Sequence, residues 1–462
     1  MISLKYFRNI FPVAFGIMAM SFATFAQTQT PPKGSAPKPF NFPKQDVFTL
    51  KNGLKVTMVE YGSVPKISVS LSIGSGAVND PQGKRGVAGL TAQMLKEGTK
   101  DNTSDEIADK FAGMGGSVDS SSGLDGTSVS GDALSEFAPE LVQLLADVAL
   151  NPNFQNDSLM RLKANRIRSI AVSKGEASTQ ANEKFRAMFF GSGPFAQVNP
   201  TEDQIKGITL EDIAKFYKQN YVANRAHLYI VGKFDKTAVK KAVDEAFSAW
   251  KRGAATKRTI PVSNGKYSLS VIDRAGAPQS TIIMGVPAPS PSDPDFIKFN
   301  VMNQLLGGSF GSRITSNIRE NKGYTYSPYS MVWTRFKTGY WAESADVTTE
   351  ATGASIKEIL FEIDRLKNAP PTAAEMQGIK NFMIGIYTLQ NSSRNGVLYK
   401  LADTDYNELG AKSIDEYVSK VDAVTAKDVQ DMAKKYLSQN KMTIVVVGDR
   451  SKIDEQLKLY EK

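Results

Sequence analysis

The chain has 462 residues, one histidine, no cysteine and a formal net charge of +9. Without cysteine it forms no disulfide, no CxxC redox pair and no thiol nucleophile, and any zinc site would have to be built from His227 and carboxylates, an unusual donor set. Basic and acidic residues alternate along the whole length with no basic run interleaved with aromatics, so nucleic acid is not an expected partner.

Residues 1–26 read as a secretory signal. Lys5 and Arg8 form a positive start, an apolar stretch runs from Ile10 to Phe25, and Thr24-Phe25-Ala26 places small residues at the third and first positions before a cut after Ala26. The competing reading is a retained anchor, but the run is short against the roughly 20 residues a spanning helix needs. The expected outcome is export across the inner membrane to the periplasm, with no stable span after cleavage. Residues 27–46, rich in Pro, Gln, Thr and Ser, read as a disordered leader.

An N-terminal domain over 47–250 follows. Phe48 and Leu50, Asn52-Gly53, then Leu54, Val56 and Met58 predict a hairpin with an Asn-Gly turn. From Ile67 to Ile73, apolar residues and serines alternate, which predicts a strand with one buried face. Helical spacing covers Ala88 to Lys96 and Ile107 to Met114, and Gly115-Gly116 ends the second helix. The serine-rich stretch from Val118 to Val129 predicts weak strands about Asp125-Gly126.

The chain then repeats itself. Ile208-Thr-Leu-Glu-Asp-Ile and Val424-Thr-Ala-Lys-Asp-Val each open a helix, with Thr209 and Thr425 as N-caps. Each helix leads to a strand, Leu228–Gly232 and Ile444–Gly448, and Thr209 stands as far from Thr425 as Gly232 from Gly448. The spacing is close to half the chain, so the repeat is a whole domain rather than a solenoid unit. Residues 251–266, with Gly253, Pro261 and Asn264-Gly265, read as the linker, and 267–462 as the second domain. Hairpins, and strands ahead of helices, predict an α+β fold: two α/β sandwich halves, each a mixed, mostly antiparallel sheet with helices on one face. No G-x-G-x-x-G follows a strand, so dinucleotide binding has no support.

The segment Gly86-Val-Ala-Gly-Leu-Thr-Ala-Gln-Met-Leu-Lys-Glu-Gly-Thr99 resembles the active-site helix of pitrilysin-type metallopeptidases, the insulinase and mitochondrial processing peptidase group. That family carries H-x-x-E-H here: two histidines one turn apart grip zinc and the glutamate takes a proton from bound water. The resemblance places the ligand positions on Gly89 and Gln93 and the base on Ala92. It places the third ligand, a glutamate on a later helix, near Ser169, in a stretch with no acid between Asp157 and Glu176. All four chemical groups are absent, so no cofactor is expected in this chain.

The second half keeps Gly307-Gly-Ser-Phe-Gly311, then Arg319 and Tyr326 within Ile318 to Tyr329. These are similar to the family's substrate-contacting glycine-rich loop (Gly307, Gly308, Ser309, Phe310, Gly311) and to its Arg/Tyr pair, which faces the zinc and stabilises the oxyanion. Without the resemblance, Arg319 reads as a surface ion-pair partner, Tyr326 as a sheet residue and the loop as a helix end. Gly307–Gly311 also fits G-x-S-x-G, but helical residues Val301 to Leu306 precede it and His227 lies upstream, so the serine-hydrolase elbow is rejected. His227 reads as a half-buried strand residue.

The resemblance implies a two-domain, clam-like chain. It would be a periplasmic non-zinc subunit supplying Arg319 and Tyr326 to a zinc-bearing partner with intact H-x-x-E-H, with peptides as substrates. The alternative is an inactive peptide-binding or scaffold protein of the envelope, as some relatives are scaffold subunits of respiratory complexes.

Overall fold

The computed structural model describes residues 41–255 and 258–461, so the signal and most of the leader expected from the sequence lie outside the described residues. β1 (Gln45–Thr49) opens the fold slightly ahead of the expected Val47 and pairs antiparallel with β2 (Lys55–Glu60). Their connection is not a two-residue Asn-Gly turn but a longer loop, closed by Leu50 N–H donating to Leu54 O at 2.9 Å. Asn52 is drawn off to the far end of the half, where its Nδ2 donates to Phe247 O at 2.7 Å and Trp250 O at 3.1 Å. Gly53 then takes φ +92°, a conformation side-chain-bearing residues rarely adopt.

β3 (Lys66–Ile73), β4 (Val118–Ser122), β5 (Thr127–Leu134) and β6 (Ala226–Gly232) complete a six-stranded sheet in the order β1-β2-β6-β3-β5-β4. β7 (Ser268–Asp273), β8 (Gln279–Pro287), β9 (Tyr329–Arg335), β10 (Thr338–Thr348) and β11 (Thr443–Gly448) form a five-stranded sheet in the order β7-β11-β8-β10-β9. Apart from the edge strand β1, the two sheets share one plan: first strand, last, second, fourth, third. In each, only the first and last strands run parallel. The expected pair of homologous, mostly antiparallel halves is present.

The first half carries α1 (Val87–Met94), α2 (Ser104–Gly113), α3 (Ala138–Leu150), α4 (Asn156–Lys174), α5 (Ala177–Phe190), α6 (Glu202–Lys206), α7 (Leu210–Asn220) and α8 (Lys236–Phe247). The second carries α9 (Phe296–Asn303), α10 (Thr352–Asn368), α11 (Ala373–Gln390), α12 (Arg394–Tyr406), α13 (Lys412–Asp415), α14 (Tyr417–Ala423), α15 (Ala426–Tyr436) and α16 (Arg450–Leu457). The repeat extends to individual bonds. Thr209 caps α7 and Thr425 caps α15, each in a capping box closed by the aspartate three residues on. Each of those aspartates also takes a lysine, Lys84 on Asp212 and Lys298 on Asp428.

One face of each sheet packs on helices of its own half. Val56, Ile67, Val69, Leu71, Leu228 and Ile230 do so in the first, and Ile282, Met284, Trp341, Ile444 and Val446 in the second. The opposite faces are covered by exchange. α5 leaves the first half and lays Phe185, Phe189 and Phe190 on Ile283, Tyr340, Val445 and Val447 of the second sheet. α12 leaves the second half and lays Val397, Leu398 and Leu401 on Val59, Tyr229 and Val231 of the first. This exchange corrects the expectation of one buried face for β3. Ser68 is also buried, and its hydroxyl accepts from Arg394 Nε at 3.3 Å.

Gly285 shows how close the exchange is. A Cβ there would stand 2.5 Å from Phe185 Cζ and 2.7 Å from Trp341 O. The Phe185 ring uses the space a side chain would fill, and its centre lies 5.3 Å from that of Tyr340. Phe185→Ala leaves a cavity at this seat and is expected to destabilise the chain by about 3–5 kcal/mol, measured as a lowered urea midpoint.

Candidate functional site

In the first half, α1 starts at Gly86, whose φ of +107° turns the chain into the helix. Asp80 closes that start: its carboxylate accepts from Gly86 N at 2.8 Å and Ala88 N at 2.7 Å. Gly89 is half exposed, with open space where a side chain would project. Gln93, one turn later, is exposed, Ala92 is a fully buried methyl group, and Ser169 lies on the exposed side of α4. The scaffold that would hold a metal is thus intact while its donors are not. Glycine and alanine offer none, and Gln93 and Ser169 offer only neutral oxygens. Among the described residues no three His, Cys, Asp or Glu side chains converge as a metal site. These residues do not fit zinc.

In the second half, α9 runs into a wider helical turn, Gln304–Gly308. Its glycines are set by close packing rather than by a need for looseness. A Cβ on Gly307 would meet Glu343 Oε2 at 2.5 Å and Ser330 Oγ at 2.6 Å, and one on Gly308 would meet Asn303 Nδ2 at 2.7 Å. Gly311, by contrast, borders open space. Beneath the turn Glu343 is fully buried with no hydrogen-bond partner for either oxygen. Burial pushes its carboxyl well above the usual carboxylate range, which favours the protonated form.

From Ser309 the chain continues into the wide turn Thr315–Asn321, which carries Arg319. Gly323, at φ +65°, reverses it, and Thr325 is anchored by its hydroxyl donating to Asp346 O at 2.7 Å. Tyr326 follows directly. The structure brings three of the expected site residues together here. The Arg319 guanidinium carbon lies 4.5 Å from the centre of the Phe310 ring and 4.8 Å from that of Tyr326. Phe310 is 70% exposed and Tyr326 78% exposed. Two aromatic faces against one cation contribute on the order of 0.5–1 kcal/mol each at such exposure. Among the described residues, Arg319 pairs with one carboxylate, the exposed Glu320, at 3.2 Å.

Arg313 provides the contrast within the same segment. Its Nε and Nη2 donate to Glu375 Oε1 and Oε2 at 2.7 and 3.1 Å, tying the loop to the start of α11. That two-pronged hydrogen bond from Arg313, with help from Thr372, draws the Glu375 carboxyl down to about 2 against the effect of burial. Arg313 is neutralised in place, whereas Arg319 is held by rings.

One cluster escaped the sequence reading. His227 does sit largely buried in β6, but it is the centre of a network. Its Nδ1 meets Asp405 of α12, and its Nε2 lies 2.8 Å from Thr57 Oγ1. Asp405 also accepts from Tyr229 OH at 2.9 Å and Lys55 Nζ at 3.1 Å. Burial lowers the imidazole's pKa against the pull of Asp405. Burial works against charge on Asp405 too, but its donors outweigh it and hold the carboxyl far below its ordinary value. Hydroxyl, imidazole and carboxylate are connected as in a hydrolytic triad. Thr57, however, is only 2% exposed, so no substrate reaches its hydroxyl. The cluster braces α12 to the first sheet. No local pattern announces it, because Asp405 comes from the other half.

Two repeated sheet-and-helix halves, with no metal donors on the first helix of one and a part-buried Arg319 against an exposed Tyr326 in the other, define a metallopeptidase scaffold without its metal donors. Residues 55–197 match the family described as insulinase (peptidase family M16), and residues 207–383 match the peptidase M16 inactive domain. The chain belongs to peptidase family M16. It is similar to the non-peptidase homolog YmxG of Helicobacter pylori, 23% identical over 386 residues covering 82% of this chain and 88% of the relative. It is also similar to the uncharacterized zinc protease YmxG of Bacillus subtilis, 22% identical over 403 residues covering 85% and 96%. Among solved structures, the peptidase M16 inactive domain from Pseudomonas fluorescens shares the fold with a TM-score of 0.82 at 24% identity, covering 88% of this chain and 98% of that one.

Two outcomes are expected from this geometry. The dialysed chain, assayed by elemental mass spectrometry, should hold far less than one zinc per molecule; stoichiometric, dialysis-resistant zinc would overturn the reading. Glu343→Gln should change the pH dependence of stability. A carboxyl protonated in the fold and ionised when unfolded makes stability fall as pH rises above its ordinary value of 4.5. Urea unfolding at a series of pH values should show a shallower decline in the glutamine variant.

Proposed function

We propose that the chain is the metal-free subunit of a periplasmic two-chain zinc endopeptidase, and that it supplies Arg319 and Tyr326 to an active site whose zinc and H-x-x-E-H helix belong to a homologous partner. The observation that carries this reading is the Phe310–Arg319–Tyr326 stack. A guanidinium clasped by two exposed rings is positioned yet left with its hydrogen-bonding edge unspent on any buried carboxylate. Such a donor, beside a phenol hydroxyl, suits an oxygen that gains negative charge as a peptide carbonyl is attacked. Phe310 then acts as a positioning residue for Arg319, and Gly307 lets its loop approach β9 and β10 while Gly308 lets it pack against Asn303 and Gln304.

A second reading rests on β4. It is the outer strand of the first sheet, hydrogen-bonded to β5 alone, and it packs beside α1. Its free edge is a template for an extended peptide whether or not a partner cuts it, which would make the chain a peptide-binding or scaffold protein.

The test mixes the purified chain with a zinc-bearing homologue from the same envelope and follows cleavage of a fluorogenic peptide. The pair should cleave where neither chain alone does. Arg319→Ala and Tyr326→Phe should each lower kcat about 100-fold or more, the scale seen for lost oxyanion donors. Phe310→Ala should cost about tenfold, the effect of a lost support rather than a lost donor. Activity of the pair unchanged by Arg319→Ala sinks the shared site, while peptide binding by this chain alone favours the second reading.

A further inference from the structure

On the exchanged face of the first sheet, where the two halves meet, lies a partly open cleft of about 440 Å³. None of Gly89, Gln93, Arg319 or Tyr326 lines it. Its walls come from the ends of β2, β3 and β6, the segment linking the halves, the β9–β10 turn and the end of α12. Its volume falls within the range of small-molecule sites, and such sites favour junctions between domains.

The charges around it do not balance. Lys55, Arg225, Arg258 and Arg335 face Asp125 and Asp405. Asp405 is already committed to His227, Tyr229 and Lys55. Asp125 accepts from Tyr406 OH and lies 3.6 Å from Arg335 Nε. Arg225 meets no carboxylate among the described residues. It donates to two neutral acceptors, Ala254 O at 2.7 Å and Asn220 Oδ1 at 3.0 Å. Arg258 donates to Tyr406 O at 2.7 Å, and its nearest acid is the exposed Glu408 at 3.6 Å. The buried Nε of Arg335 makes no hydrogen bond.

Apolar surface adjoins this positive excess. The Arg258 guanidinium carbon lies 4.2 Å from the centre of the Phe336 ring and 5.2 Å from that of Tyr406, and Phe195 also lines the cleft. A guanidinium stacked on rings keeps its edge for planar oxyanions.

We infer that this cleft is a binding site for a small organic anion: a carboxylate or phosphate group received by Arg225, Arg258 and Arg335, on a ring-sized apolar body lying against Phe336 and Tyr406. The site is independent of the zinc-pair reading, since it uses neither the Arg319 stack nor any partner. The brace at His227 serves it indirectly: by saturating Asp405, it prevents that carboxylate from neutralising the arginines.

Isothermal titration of the signal-free chain tests this with four probes: N-acetyl-phenylalanine, its neutral amide, phenyl phosphate and inorganic phosphate. One or both ring-bearing anions should bind at one saturable site, with the amide at least about tenfold weaker. Preference for N-acetyl-phenylalanine identifies carboxylates as the ligand class, and preference for phenyl phosphate identifies phosphoesters. Arg225→Gln and Arg258→Gln should each weaken binding about tenfold or more, whereas Arg161→Gln, on the distant α4, should leave it unchanged. If Arg225→Gln lowers Tm, Arg258→Gln, from the irregular connecting segment, carries the test. No saturable binding overturns the proposal, and so does equal binding by these variants. Inorganic phosphate binding as tightly as the ring compounds also overturns it, by reducing the site to an adventitious ion only.

Discussion

Every other feature of this molecule depends on how the second face of each sheet is kept from water. Val59, Tyr229 and Val231 on one sheet and Ile283, Val445 and Val447 on the other form apolar surfaces that neither half covers with its own helices. The solution is reciprocal: α5 crosses to one sheet and α12 to the other. At roughly 25 cal/mol for each Å² of apolar surface removed from water, two such contacts amount to a sizeable part of a domain's stability. The two sheets are therefore held in place by the exchanged helices, and described residues of the connection add to this, with Arg258 donating to Tyr406 O and Asn264 N to Phe189 O.

The helical region about α1 and the one that follows α9 are built differently on this common frame. In the first half, α1 keeps its capped start and its buried face while the side chains that would bind metal are gone. In the second, the backbone is elaborated: Gly307 lets a wide turn press against β9 and β10, a buried glutamate lies beneath it, and Arg313 is locked to Glu375. At the end of that segment the part-buried guanidinium of Arg319 lies between two exposed rings. Ion-pair chemistry anchors the loop, and aromatic chemistry leaves Arg319 available. Arg313 and Arg319, six residues apart, are thus held by different means, the one by a two-pronged bond to Glu375 and the other between the rings of Phe310 and Tyr326.

The repeat was legible because helix caps and strand patterns are local. Thr209 and Thr425, each followed three residues later by aspartate, announce equivalent helices, and the strands after them occupy equivalent places in the two sheets. The helix that carries Gly89, Ala92 and Gln93 was legible for the same reason, since its apolar spacing lies within one short segment. What could not be read are contacts between distant segments. Asp405 finding His227, Phe185 finding the gap at Gly285, and α12 burying Ser68 have no signature within a short window. The meeting of Phe310 with Arg319 lies between these cases. Both residues stood in segments of interest, but only the turn about Gly307 shows that they touch.

The exchange of helices also has a consequence for how the molecule comes into being. The first sheet is complete in hydrogen bonds once β6 has been made, yet the surface around Val59 and Val231 stays bare until the chain has been synthesised as far as Tyr406. The first half therefore cannot finish folding as an isolated unit while the second is still emerging, and its exposed apolar face is a liability during that interval. The architecture thus favours assembly after the full length is available, with the last steps being the seating of one half's helix on the other half's sheet.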